Sequence, residues 1–298
     1  MPTRNRDRSV PQRPFRWDIA RREQLGSLLS GEHPQSYPEF NADLRTLSAQ
    51  VLARGGGADL VFVGRSVESV FDYLSGIFSN VARPPALSLL QFSAPNETPA
   101  ALAQKFPKEF RVLRDYFDAE RLAPPALMEG RRKVRFVDVV SGGWTFTALY
   151  QLQKYWTEKE NLDWAGVRRR FGFLGITART RNSPNTWRWQ QHKDWTADLP
   201  GGAIANISVP WRFWRYVANS EEKATPSFWL PAWGDPDAAK PSHYEMNLRG
   251  LRRAVRLYDR GRSAIERERF ARALAAQPEM ASSAVRGYAQ RLKLAKSE

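Results

Sequence analysis

The chain of 298 residues contains no cysteine. Disulfides, thiolate nucleophiles and cysteine-based zinc sites are thereby excluded. Histidine is nearly as scarce. His33, His192 and His243 are the three present, far apart in sequence, so a histidine-rich metal site is not expected. No stretch approaches the ~18 apolar residues that a membrane-spanning helix needs. The opening "MPTRNRDRSVPQRPFRWD" has basic residues but no apolar block behind them, unlike a secretory signal. These absences lead to the expectation of a cytoplasmic protein without a membrane partner. Acidic residues are too few to balance the basic ones: 46 Lys and Arg face 31 Asp and Glu, for a net charge of +15. Such an excess attracts polyanions, whether nucleic acid, membrane surface or phosphorylated metabolite. It also serves solubility alone. The composition is 42% hydrophobic and 12% aromatic, which supports one large core or two smaller ones and argues against disorder.

Hydrophobic patterning gives alternating strands and helices. Leu44, Leu47, Val51 and Leu52 recur at helical spacing, and the glycines at 55 to 57 stop that helix. "ADLVFVG" reads as a strand buried on both faces. "SVESVFDYLSGIF" follows as a helix and "PALSLLQF" as a second strand. Residues 97–122 read as two helices split by Pro107, with Pro124 and Pro125 ending the insertion. A third strand starts at Val134, a fourth lies in "RRRFGFLGITA", and a fifth at 203–209. From 243 onward the chain reads as basic helices. Leu248, Leu251, Val255 and Tyr258 form one stripe, and Ile265, Phe270 and Leu274 another. No internal repeat is evident. The expected fold class is α/β, with a mostly parallel sheet and helices on both faces. The expected organisation is a basic N-terminal arm at 1–35, an α/β core at 36–215 with a helical insertion about 95–128, and a Trp/Pro-rich connection with basic C-terminal helices at 216–298. Ligands of such sheets sit beyond the carboxyl ends of the strands.

The segment "VRFVDVVSGGWTFTAL", residues 134–149, carries the densest chemistry. A strand runs through Asp138 into Ser141-Gly142-Gly143 and leaves as a helix through Thr145. Glycines let backbone N–H groups line a concave nest, and the helix N-terminus adds its dipole. Ser141 and Thr145 offer hydroxyl donors to phosphate. The P-loop is excluded, because Trp144 stands where its lysine must be, and no G-x-G-x-x-G follows either early strand. Taken alone, the turn is as well explained by plain strand-to-helix architecture with Asp138 as a local cap.

The order of these residues resembles the phosphoribosyl-diphosphate motif of type I phosphoribosyltransferases. There a hydrophobic strand meets two adjacent acids, two apolar residues, and a Thr/Ser-Gly turn ending in Thr. The second acid falls on Asp138 and the first on Val137, so half of the acidic pair is missing. The phosphate loop falls on Ser141, Gly142, Gly143, Trp144 and Thr145, with Trp144 in place of a small residue. Upstream, "DLVFVGRSVESVFDYL" resembles the family's strand, pyrophosphate turn and helix, the turn being Gly64-Arg65-Ser66. The resemblance covers about residues 40–180. It implies a phosphoribosyltransferase-like fold in which Asp138 holds the ribose and Ser141 occupies the position where many members carry a catalytic acid or hydroxyl. It further implies that Ser141 to Thr145 hold the 5-phosphate and Gly64, Arg65 and Ser66 the pyrophosphate, with Mg2+ entering through the pyrophosphate and no protein metal ligand assigned.

The implied activity is transfer of phosphoribosyl from its diphosphate to a nitrogen nucleophile, which would make the chain a glycosyltransferase if active. With one acid missing, a non-catalytic nucleotide sensor or nucleic-acid-binding regulator on the same fold is the alternative. The implied ligand is a phosphorylated ribose. The basic arm and the C-terminal helices are candidate contacts for nucleic acid, and a homodimer is compatible with the sequence. Lys105, Lys108, Arg111 and Arg114 of the insertion either face the ligand or form a solvated helix face. The late loop "TARTRNSPNTWRW", with most of the eleven tryptophans lying from here onward in "NTWRWQQHKDW", "WRFWRY" and "SFWLPAWGD", suits either a stacked heterocycle or core packing.

Overall fold

The computed structural model describes residues 12–179 and 188–295. In chain order the elements begin with α1 (Phe40–Gly55), β1 (Asp59–Val63), α2 (Glu68–Phe78) and β2 (Leu87–Leu90). The insertion follows as α3 (Pro99–Lys105), α4 (Pro107–Ala119) and α5 (Pro124–Glu129). Then come β3 (Val134–Val139), α6 (Trp144–Lys159), α7 (Trp164–Val167), β4 (Phe171–Ala178), β5 (Ile204–Val209) and α8 (Trp211–Arg215). The chain closes with α9 (Glu245–Arg262), α10 (Ala264–Ala275) and α11 (Ser283–Leu294).

The five strands form one all-parallel sheet in the order β2-β1-β3-β4-β5. Its strands are apolar on both faces because helices cover both. Leu60, Phe62, Val137 and Ile176 point into a core closed by α1, α2, α9 and α10. Val61, Val63, Phe136 and Phe173 point into a second core closed by α3, α4, α5 and α6. The chain moves from β1 outward to β2, then crosses back to β3 and continues to β4 and β5. The loops leaving β1 and β3 therefore diverge, and a crevice opens between them at the carboxyl edge.

Three departures from the sequence reading have local causes. Pro124 and Pro125 open α5 rather than end the insertion, since proline at the first helical position forfeits only an N–H that is orphaned anyway. Ile265 is 65% exposed. The inward face of α10 instead runs through Glu266, Phe270 and Leu274, because buried Glu266 accepts from Arg45, Tyr73 and Arg260. The described part of the N-terminal segment, from residue 12, is packed against the body of the protein. Arg16 donates twice to buried Asp72 at 2.7 and 2.8 Å, and Ile19 and Leu25 bury against Leu251 and Val255.

The C-terminal helices complete the first core. α9 lies against α2 at backbone contact: a Cβ on Gly76 would meet the Tyr258 carbonyl at 2.1 Å, and one on Gly261 the Tyr73 carbonyl at 2.6 Å. No helix among the described residues is long and apolar enough to cross a membrane.

Candidate ligand site at the carboxyl edge of the sheet

A cavity of about 440 Å³ opens at the crevice between β1 and β3, within the size range of small-ligand pockets. The turn after β1 supplies Gly64, Arg65 and Ser66 to its wall, and β3 with the start of α6 supplies Asp138 and Thr145. The Gly64 N–H makes a last ladder bond to Leu90 O at 2.8 Å, and its φ of +70 then turns the chain off the strand. A side chain there would press on the Phe92 carbonyl at 3.2 Å. Arg65 is half-exposed and has no ion-pair partner among the described residues.

Asp138 is buried at the end of β3. Burial pushes its carboxyl up to about 7, against the lowering effect of hydrogen bonds from the Thr145 hydroxyl and the Val139 N–H. The Val139 bond is 2.7 Å long. No cation offsets the burial, so this acid sits near half-ionisation at neutral pH.

The remainder of the glycine turn lies beside the cavity, outside its wall. Ser141 and Trp144 are exposed, Trp144 at 69%. The indole nevertheless lies back against the turn, since a Cβ on Gly142 would meet its Nε1 at 3.0 Å. Its ring lies under the Lys193 ammonium, 3.6 Å from the centroid. Gly143 has φ +76 and rests on Trp189, whose ring atoms would meet a Cβ at 2.4 Å. Trp189 is buried and donates to Asn206 Oδ1 at 2.8 Å. Gly143 caps α6 without a side-chain hydrogen bond, so the N–H groups of Trp144, Thr145 and Phe146 lack intrahelical acceptors.

The opposite wall is one that sequence reasoning missed. It comes from the connection after α8, through Asn219, Glu221, Glu222 and Lys223, and from Asn247 at the start of α9. Glu221 accepts from Ser69 Oγ and Lys223 Nζ, both at 2.5 Å. Glu68 accepts from Ala224 N at 2.9 Å and from the Thr225 hydroxyl. Arg253 donates to Glu222 at 2.9 Å, and Asn247 to Lys223 O at 3.0 Å. A Cβ on Gly250 would meet the Lys223 backbone at 2.2 Å. This wall is thus clamped between α2 and α9. Its partners on α2 stand some 150 residues away in the chain (152 for Ser69 and Glu221). The only trace in the sequence is the polar run "NSEEKATPS" among aromatics.

Other expected participants lie elsewhere. Lys105 pairs with Glu97 at 2.8 Å. Arg114 bonds Glu160 at 2.6 Å and covers the Trp156 ring, tying α4 to α6. Lys108 and Arg111 do not line the cavity. In the late loop, residues 180–187 fall outside the described residues, as does the N-terminal arm before residue 12. Trp189 and Trp233 are core, whereas Trp211 and Trp229 are exposed. Among the described residues no group of three or more His, Asp or Glu is arranged to hold a metal ion. No family model, curated protein or solved structure matches this chain.

Proposed function

We propose that the chain is a phosphoribosyltransferase-like protein that binds phosphoribosyl diphosphate or a phosphorylated nucleotide in the β1/β3 crevice. One observation carries the reading: Gly64-Arg65-Ser66 and Asp138 with Thr145, separated by some 70 residues of chain, line the same cavity. In this reading the diphosphate lies against the Arg65 guanidinium and the Ser66 hydroxyl, as charge-assisted hydrogen bonds favour. The 5-phosphate takes the free N–H groups at the start of α6 and the Ser141 hydroxyl, while the Thr145 hydroxyl orients Asp138. Asp138 accepts from the ribose hydroxyls.

In the transfer reaction a nitrogen nucleophile forms a bond to the ribose anomeric carbon. The bond from that carbon to the diphosphate oxygen breaks, and the electron pair leaves with pyrophosphate. Positive charge develops on the ribose, and an ionised Asp138 stabilises it. Glu221 and Glu222 are already engaged by Lys223, Arg249 and Arg253. Asp138 is the cavity carboxylate without a cation, so magnesium would be held chiefly by the diphosphate's own oxygens. When bound, magnesium neutralises the leaving group.

A second reading, binding without turnover, is favoured by Val137. Its side chain is fully buried in the apolar core on the opposite face of the sheet from Phe136 and Val140. The family's first acid has no counterpart at the cavity. Calorimetric titration with phosphoribosyl diphosphate and magnesium, paired with an assay for pyrophosphate release, tests both readings. Binding with release on adding a nitrogen acceptor supports the enzyme. Binding without release supports the sensor. Absence of binding overturns both.

A further inference from the structure

The carboxyl edge carries a second feature, which lies outside the cavity wall and shares only the start of α6 with the proposed 5-phosphate site. Trp211 is 56% exposed and stacks on Trp214, with centroids 5.2 Å apart and planes at 12°. Trp214 is half-buried and donates through Nε1 to Val140 O at 3.3 Å. The stacked pair is thus pinned to the residue that opens the glycine turn. Trp144 stands at the other end of that same turn, exposed, with Lys193 over one face. Two flat rings are therefore held in fixed orientation beside one turn, next to the uncapped N-terminus of the 16-residue α6. Arg215 is exposed on the same short helix as Trp211.

Exposed aromatic rings at fixed positions among cations fit a partner that is both flat and anionic. Stacking on tryptophan is worth most to a heterocycle, and the surrounding charge selects for phosphate. The net charge of +15 supplies the long-range attraction. The C-terminal basic residues contribute less to it than their number suggests, because Arg252 and Arg253 are buried and bonded internally.

We propose that the edge formed by the exits of β3 and β5 binds single-stranded nucleic acid, with bases stacked on Trp144 and Trp211 and phosphates drawn to Lys193 and Arg215. The test uses the full chain and a labelled single-stranded oligonucleotide of about a dozen nucleotides, the scale of such binding sites, read by fluorescence anisotropy. Binding should weaken as salt rises. Trp144→Ala and Trp211→Ala should each weaken it about tenfold, the scale of one lost stacking contact, with Trp144→Phe restoring most of the loss. Both side chains are exposed, and circular dichroism of each variant checks that the fold persists. Trp229→Ala is the control. It is 61% exposed, but it follows Phe228, whose carbonyl is bonded by Ser93 beyond β2 at the far end of the sheet. It should leave binding unchanged.

A duplex of the same sequence should bind more weakly and respond to neither tryptophan change. Three results would each overturn the proposal: no binding at low salt, binding insensitive to Trp144 and Trp211, or duplex bound as tightly as single strand. Titration of Trp211→Ala with phosphoribosyl diphosphate keeps the two sites distinguishable, since Trp211 belongs to neither the cavity wall nor the start of α6.

Discussion

Asp138 is a carboxyl that the fold holds close to neutral pH. Its pKa is about 7 when folded against 3.8 for the ordinary group, raised by burial. Across that interval the folded state keeps a proton that the unfolded chain has released. The stability of the neutral carboxyl is full below about pH 4 and is lost as pH rises through about 7. Asp138→Asn should therefore stabilise the protein relative to wild type at about pH 8 more than at about pH 4, as urea midpoints would report. The same difference at both pH values would contradict the burial account. Ribose binding runs the other way, since the ionised form accepts hydroxyls, so affinity for phosphoribosyl diphosphate should rise more steeply through about pH 7 in wild type than in Asp138→Asn, whose remaining pH dependence is that of the ligand's phosphates. The neighbouring residue behaves differently. Val137 is fully buried in the apolar core beside Phe62 and Leu174, and Val137→Asp should cost about 3 kcal/mol or more by placing a charge or its proton there. It should not tighten ligand binding. A stable variant with improved magnesium-dependent affinity would mean that position 137 reaches the site.

At the scale of elements, the seam between α2 and α9 brings two helix backbones into direct contact. Gly76→Ala would drive a methyl into the Tyr258 carbonyl at 2.1 Å, so the helices must part. The expected loss is about 2–4 kcal/mol, in the range of other overpacked or strained core sites. A guanidinium-denaturation midpoint matching wild type would show that α9 is not docked there. The five strands were legible because each is a short apolar run bounded by Gly, Pro or polar residues. The parallel pairing of the first four followed from the helices between them, whereas β4 and β5 pair in parallel with no α-helix between them among the described residues. The turns Gly64-Arg65-Ser66 and 138–145 were legible as strand-to-helix junctions, and local grammar put Asp138 and Thr145 on the crevice. The facing wall was not legible. Glu221, Lys223 and Asn247 lie in irregular chain or at a helix start, and their roles depend on Glu68, Ser69 and Gly250, to which no periodicity connects them. Ile265 misled because a stripe at 265, 270 and 274 looks apolar, while the inward position next to it is an acid satisfied by two arginines and a tyrosine.

For the whole molecule, the N-terminal segment and the C-terminal helices close around one sheet, and buried ion pairs fasten them. Asp72 is nearly wholly buried and rises to about 6, burial outweighing the lowering effect of Arg16. Arg16→Ala leaves that carboxylate uncompensated. It should cost about 3–5 kcal/mol at about pH 8, and less at about pH 4, where Asp72 is protonated in either protein. A pH-independent loss would assign Arg16 a packing role only. The same closure sets the cavity, since the clamped 221–225 wall faces the β1 and β3 turns across it. A crystal structure of the protein soaked with phosphoribosyl diphosphate and magnesium addresses that arrangement most directly. The diphosphate should lie against Arg65 and Ser66, the ribose hydroxyls within hydrogen-bond reach of Asp138, and the 5-phosphate at the N-terminus of α6. Ligand density elsewhere on the chain, with this crevice left to solvent, would contradict the assignment.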